Sequence, residues 1–282
     1  MQYNRIRSFD KAALRDIWQA GFADGTENID RFLTWFGDKA GCVLADEDGR
    51  PVGAMMVLPG PDVRLLRREQ LNTAYVYALS VLPASRSKGL GKELYRACVD
   101  AALREGADAV CVLPAEEGLY PFYTDARENV VLTRAREARF ARADFAGIDG
   151  GLCARIDYYR YGGIRESVLS GEPHAVMTDE YLEWEAELHE QYGGGFFVSE
   201  SGCAVTEGDG KQCLVSELLV PNGDPMKLLA AVASFHPAEE YIVRSPLFMQ
   251  GPGVERDFML AALRPDLKAY LPDDIWWGPA YE

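Results

Sequence analysis

The chain has 282 residues, 48% of them apolar and 26% charged, and a formal net charge of −15. That is enough chain for one large domain or two ordinary ones, and enough apolar content for a sizeable core. No run of about 18 apolar residues occurs, so no membrane partner is expected, and the acidic excess makes nucleic acid a poor partner.

The charge is unevenly placed. Residues 1–145 carry 20 Lys and Arg against 21 Asp and Glu, whereas residues 146–282 carry 9 against 23. A field of that sign in the second half favours a cationic small molecule or a basic peptide. The six cysteines, at 42, 98, 111, 153, 203 and 213, are scattered and do not cluster with histidine. They read as reduced, buried thiols of a cytoplasmic protein, with no metal expected. The opening residues MQYNRIRSFD lack the apolar segment of a secretory signal.

In chain order, residues 2–8 predict an edge strand, and Asp10 predicts the cap of a helix bearing Leu14, Ile17, Trp18 and Phe22 on one face. A second helix carries Ile29, Phe32, Leu33 and Phe36, with Glu27 and Asp30 in reach of any cleft beside it. The run from Cys42 to Ala45, the turn Asp46 to Gly49 and the run from Val52 to Leu58 predict a hairpin. A polar segment, 61–70, leads to an extended run over 72–82, with Tyr75 and Tyr77 on one face. Beyond it, Leu90, Leu94, Cys98 and Ala101 recur at helical spacing, and Gly106 stops that helix. Residues 109–113 read as a buried parallel strand, followed by a short helix through Tyr120 to Tyr123 and a hairpin from 130–132 to 138–140.

The strand-to-helix turn between these elements carries the chemistry. It holds Arg86, Ser87, Lys88, Gly89, Leu90, Gly91 and Lys92. Glycines let backbone amides approach an anion, the helix start adds partial positive charge, and Arg86, Lys88 and Lys92 are available to add full charges. The Walker pattern fails because Glu93 follows Lys92, and the dinucleotide pattern fails because Leu94 replaces its last glycine.

The pattern that fits is R-x-x-G-x-G over Arg86, Gly89 and Gly91, after V-x-P at 81–83. With the strand and helix ending in Phe122-Tyr123, it resembles the GNAT N-acyltransferases over roughly residues 1–145. The resemblance implies an α/β (α+β) fold with a mixed central sheet and acetyl-CoA as co-substrate. It implies that the loop, 86–92, holds the pyrophosphate and that the strand end, Leu79, Ser80 and Val81, holds the pantetheine arm. It implies Tyr123 as general acid, with Tyr120 as a nearby substitute, and an N-acetyltransferase acting on a small-molecule or peptide amine. A non-catalytic acyl-CoA-binding sensor or scaffold is the alternative.

The second half reads as a worn copy of the first. A helix at about 179–192 carries Tyr181, Trp184, Leu188 and Tyr192 on one face and Glu183, Glu185, Glu187 and Glu190 among its polar positions. A hairpin over 196–206, a run over 213–221, a helix opened by Asp224-Pro225 and a strand at 241–243 follow. The basic R-x-x-G-x-G segment is missing there. The expectation is two tandem GNAT-like domains, 1–145 binding acetyl-CoA and 146–282 acidic and degenerate. The three histidines, His174, His189 and His236, all lie in the second half and read as surface or structural groups.

Overall fold

The chain opens with an edge strand, β1 (Gln2–Arg5), and two helices, α1 (Lys11–Gly21) and α2 (Thr26–Trp35). The computed structural model describes every residue except 23, 67–69, 209, 268–270, 273, 281 and 282. Asp10 caps α1 by accepting the amide of Ala12 at 2.9 Å, and the apolar stripe Leu14, Ile17 and Trp18 is buried. Then β2 (Gly41–Glu47) and β3 (Arg50–Pro59) pair as a hairpin turned through Asp48 and Gly49, both at positive φ. The polar segment holds two short strands, β4 (Asp62–Arg64) and β5 (Gln70–Leu71). Next come β6 (Thr73–Val81), α3 (Leu90–Arg104), β7 (Ala109–Val112) and α4 (Tyr120–Ala126), all where the pattern predicts them.

The hairpin expected at 130–140 does not form. Those residues are one twelve-residue strand, β8 (Val130–Ala141). No Gly, Pro, Asn or Asp lies between Leu132 and Ala138 to reverse the chain, so it runs on. Its neighbours come from the second half.

That half contains β9 (Cys153–Ile156), α5 (Tyr158–Val168), β10 (His174–Val176), α6 (Asp179–Tyr192), β11 (Gly194–Ser199) and β12 (Gly202–Glu207). It continues through β13 (Gln212–Leu219), α7 (Pro225–Phe235), β14 (Glu240–Ser245) and β15 (Val254–Leu263). A twelve-stranded sheet runs β1-β2-β3-β6-β7-β15-β8-β14-β13-β12-β11-β9, and β10-β4-β5 form a second sheet that joins the two halves of the chain.

The order has an internal symmetry. Five strands of the first half end at β7, which pairs with β15, and five of the second end at β14, which pairs with β8. Each half therefore receives its sixth strand from the other, and β8 and β15 pair antiparallel at the centre. One core lies under α1, α2, α5 and α6 and is continuous across both halves. Two smaller cores, under α3 and α4 and under α7, line the other face. All six cysteines are free thiols, five of them buried. Among the described residues no helix is long and apolar enough to cross a membrane.

Candidate active site

The parallel pairing of β6 with β7 covers Thr73, Ala74 and Tyr75 only, although β6 runs on to Val81. Past Tyr75 the strands part. At the same place β6 carries a bulge: Ala54 faces Ser80 and Met56 faces Tyr77, so β6 holds one residue more than its partner. Ala78, inside the bulge, sits at φ 53°, a left-handed conformation unusual for a residue with a β-carbon. The splay leaves the β7 side of β6 unpaired beyond Tyr75, and the bulge turns that stretch toward a cleft of about 1590 Å³, while pairing with β3 resumes at Ser80 and Val81.

The loop after β6 forms the cleft's rim. Ser87 and Gly89 both have positive φ, at 63° and 83°, and Gly89 is the cap residue of α3, with no side chain capping the helix. The amides of the first turn of α3 are thus left for an anion. A β-carbon on Gly91 would lie 3.3 Å from the Phe122 ring, so a larger residue would push α3 away from α4. These are the features that an acyl-CoA pyrophosphate requires, and the residues present fit it.

The cleft is lined by Leu79, Val81, Arg86, Ser87, Gly89, Leu90, Gly91, Lys92 and Tyr123. Ser80 and Lys88 do not line it. Ser80 is buried against α1, where a β-carbon on Gly21 would meet its hydroxyl at 2.2 Å. Lys88 turns to Glu47, at 3.0 Å, and Glu47 also accepts from Ser85 at 2.9 Å. The Lys88 and Ser85 hydrogen bonds hold the Glu47 carboxyl below the usual carboxylate range. Arg86 folds back, donating from Nε to the Val81 carbonyl at 2.9 Å and from Nη2 to the Ala20 carbonyl at 2.5 Å. It braces the loop against the strand end and α1.

Tyr123 is 7% exposed, wedged between the rings of Tyr95 and Phe122, each 5.0 Å away. Burial pushes its phenol up to about 12, so it is protonated at neutral pH. Tyr120 has a different task. Its hydroxyl donates to the carbonyls of Asp257 and Phe258, at 2.7 and 2.9 Å, and so ties α4 to the strand β15 lent by the other half.

A second cavity, about 420 Å³, shares Tyr77 with the cleft. It lies among α1, α2 and α6, walled by Trp18, Phe32, Trp184 and Tyr192, with Asp24 and Glu207 as its acids. The rings interlock: Trp18 and Tyr77 are 5.6 Å apart, and Phe32 lies 5.3 Å from Tyr77 and 5.9 Å from Trp184. Glu27 and Asp30, expected to reach the cleft, lie instead on a shallow outer depression, with Asp30 paired to Arg15 at 2.6 Å. The cavity needs α6 from the second half, so no pattern local to residues 1–145 predicts it.

In the second half the matching turn is closed to an anion. Asp224 caps α7 with its own carboxylate, accepting the Met226 amide at 2.9 Å. The strand β13 repeats the bulge, Val205 facing Glu217 and Glu207 facing Leu214, but its end is covered. Glu217 there is fully buried and meets Arg165 Nε at 2.9 Å, Trp276 Nε1 at 2.6 Å and the Tyr161 hydroxyl. Arg165, also fully buried, donates further to the carbonyls of Ala175 and Trp277, at 2.7 and 2.9 Å.

A splayed mixed sheet, a strand bulge and an uncapped helix start at the splay together make an open cleft with free amides for an anion. Residues 11–126 match the model of the acetyltransferase (GNAT) family, and this stretch is a GNAT domain. The chain is similar in fold to a GCN5-related N-acetyltransferase from Kribbella flavida, at 14% identity and a TM-score of 0.65, over 93% of this chain and 71% of that one. It is similar to an Enterococcus faecalis protein of unknown function titled a probable N-acyltransferase, at 13% identity and 0.69, over 93% and 72%. It is also similar to Eis1 from Mycobacterium abscessus, at 12% identity and 0.61, over 93% and 74%. No curated protein matches the sequence.

Proposed function

We propose that the protein is an N-acetyltransferase that moves an acetyl group from acetyl-CoA to a primary amine by direct attack in a ternary complex. The observation carrying this reading is the cleft that runs from the uncapped start of α3, past the bulged end of β6, to the buried and protonated Tyr123.

Acetyl-CoA supplies the thioester and, in the thiolate, a leaving group. The amides at the start of α3 bind its pyrophosphate, with Lys92 at the rim. The end of β6, still paired with β3 but unpaired with β7 beyond Tyr75, has backbone groups around Leu79 for the pantetheine arm and for polarising the thioester carbonyl. Tyr123 keeps its proton at Oη and gives it to the departing sulfur. The amine, having first released one proton to water to become neutral, forms the new bond from nitrogen to the acyl carbon as the carbon–sulfur bond breaks, and the second proton lost by nitrogen restores the phenol. A thiol of pKa near 8.5 is more acidic than a phenol raised to about 12, so the transfer is effective only when it coincides with that return.

The chain has two GNAT-like units in this reading, residues 1–145 and 146–282, and only the first takes acetyl-CoA. The self-capped α7 and the covered end of β13 support this. Calorimetry should find one acetyl-CoA site per chain; two sites of similar affinity would overturn the division. Arg86→Glu removes the brace on the loop and reverses the charge beside the pyrophosphate, so it should weaken acetyl-CoA binding at least about tenfold, or 1.4 kcal/mol.

The acceptor enters through the 420 Å³ cavity, whose aromatic walls and Asp24 suit a cationic amine. Its inner end shares Tyr77 with the cleft. Once an acceptor is found, kcat/KM should fall with added salt for a cationic amine and stay level for a neutral analogue, because salt screens the field over about 8–10 Å. Equal indifference to salt would leave the acidity of the second half without a part in binding. Thiol release from acetyl-CoA against a panel of amines tests the reading as a whole. Binding without turnover on every amine would favour a sensor or scaffold.

A further inference from the structure

Glu185 and His189 stand one turn apart on α6, and both point inward, 1% and 4% exposed. The helical pattern puts Glu185 among the polar positions and reads His189 as a surface or structural group; the fold buries both. Glu207, at the end of β12, meets them, so that a carboxylate oxygen from each acid and a nitrogen of the imidazole lie within 4.8 Å of one another. Neither ring nitrogen of His189 has a hydrogen-bond partner among the described residues. A buried imidazole normally satisfies at least one of its nitrogens, and here Phe196, 4.8 Å away, only packs against the ring.

We infer that Glu185, His189 and Glu207 form a binding site for a divalent transition-metal ion of the zinc class. One imidazole and two carboxylates are ligands suited to such an ion, and its bonds to them would be about 2.0–2.2 Å long. Tetrahedral donors then lie about 3.4 Å apart, so no pair of the three groups need draw together by more than about 1.4 Å. Two carboxylates balance the charge of the ion, and the imidazole gains the partner it lacks. The neighbouring bases do not take that place. His236 Nε2 meets the Gly208 carbonyl at 2.8 Å, and Arg155 is exposed on β9.

Three protein ligands leave at least one position open. His189 and Glu207 line the 420 Å³ cavity, so that position faces the cavity interior. The ion fastens α6 to β12 at the cavity's wall and offers a coordination site for a neutral nitrogen or oxygen of a molecule bound there. None of this depends on the acetyl-transfer reading.

The test is calorimetric titration of zinc chloride into the whole chain after dialysis against a chelator, with cobalt(II) as a spectroscopic substitute. The expected result is one ion per chain with a Kd on the order of 1 µM or tighter. Bound cobalt should show visible ligand-field bands without the near-ultraviolet thiolate band that cysteine ligation would give. His189→Gln and Glu207→Gln should each weaken zinc binding at least about tenfold while acetyl-CoA binding is kept. If His189→Gln fails to fold, Glu207→Gln and the cobalt spectrum of the unaltered chain decide the matter. No uptake, a thiolate band, or undiminished binding in a folded variant would each overturn the site.

Discussion

Tyr123→Phe should lower kcat roughly 10²-fold, about 2.7 kcal/mol, and leave acetyl-CoA affinity close to that of the unaltered chain. The substitution keeps the ring, and with it the contacts to Tyr95 and Phe122, so packing beside the cleft is retained. Only the proton donor is lost. Steady-state kinetics with calorimetry separates the two effects, and an unchanged kcat would show that another group protonates the leaving sulfur. The pH dependence follows in sign. The acid works in its protonated form, and burial raises its pKa to about 12, so activity tied to Tyr123 persists as pH rises and is lost only toward that value. The fall in kcat expected of a phenol near 10 should therefore be missing.

Glu217→Gln should destabilise the fold by about 3–5 kcal/mol, the range for removing one member of a buried ion pair. Arg165 would keep its charge at zero exposure, with two carbonyls and only the longer contact to the Glu166 carboxylate, at 3.5 Å, left to it. The same change weakens the bond to Trp276 Nε1, which holds the last described segment of the chain against β13. Thermal unfolding should shift down by roughly 10 °C for a chain of this length. A double replacement of Arg165 and Glu217 by apolar residues of like volume should cost far less, since no charge is stranded. A melting temperature for Glu217→Gln within 2 °C of the unaltered chain would contradict this, at about the size of a surface substitution.

Both results bear on how the two halves divide their work. The first half keeps an open splay with Tyr123 inside it, and the second covers the end of β13 with a buried ion pair. The pair anchors the C-terminal segment, whose Trp277 packs 6.2 Å from Tyr75 on the central strand of the open splay. Stability in the second half thus supports geometry in the first.

What the sequence by itself determined was local. The cap at Asp10, the hairpin turn at Asp48-Gly49 and the stripe on α3 depend on residues within a few positions of each other, and each formed as its pattern predicts. The loop from Arg86 to Lys92 was legible for the same reason, because a helix start that lacks a capping side chain is a property of a short stretch. Glu217 stands in the run over 213–221 as its single acid, and nothing in that run names what it meets. Its partners, Arg165 and Trp276, lie 52 and 59 positions away. The lack of a turn residue between Leu132 and Ala138 was legible as well, but only the tertiary structure supplied the partners of 130–141, with both edges filled by β14 and β15 from beyond residue 239. It alone turned Arg86 back to brace the loop, drew Ser80 and Lys88 away from the cleft, and buried Glu185 and His189 together. Side-chain direction and strand partnership are set by packing among elements far apart in the chain, and helical or strand periodicity carries no record of which distant element will pack.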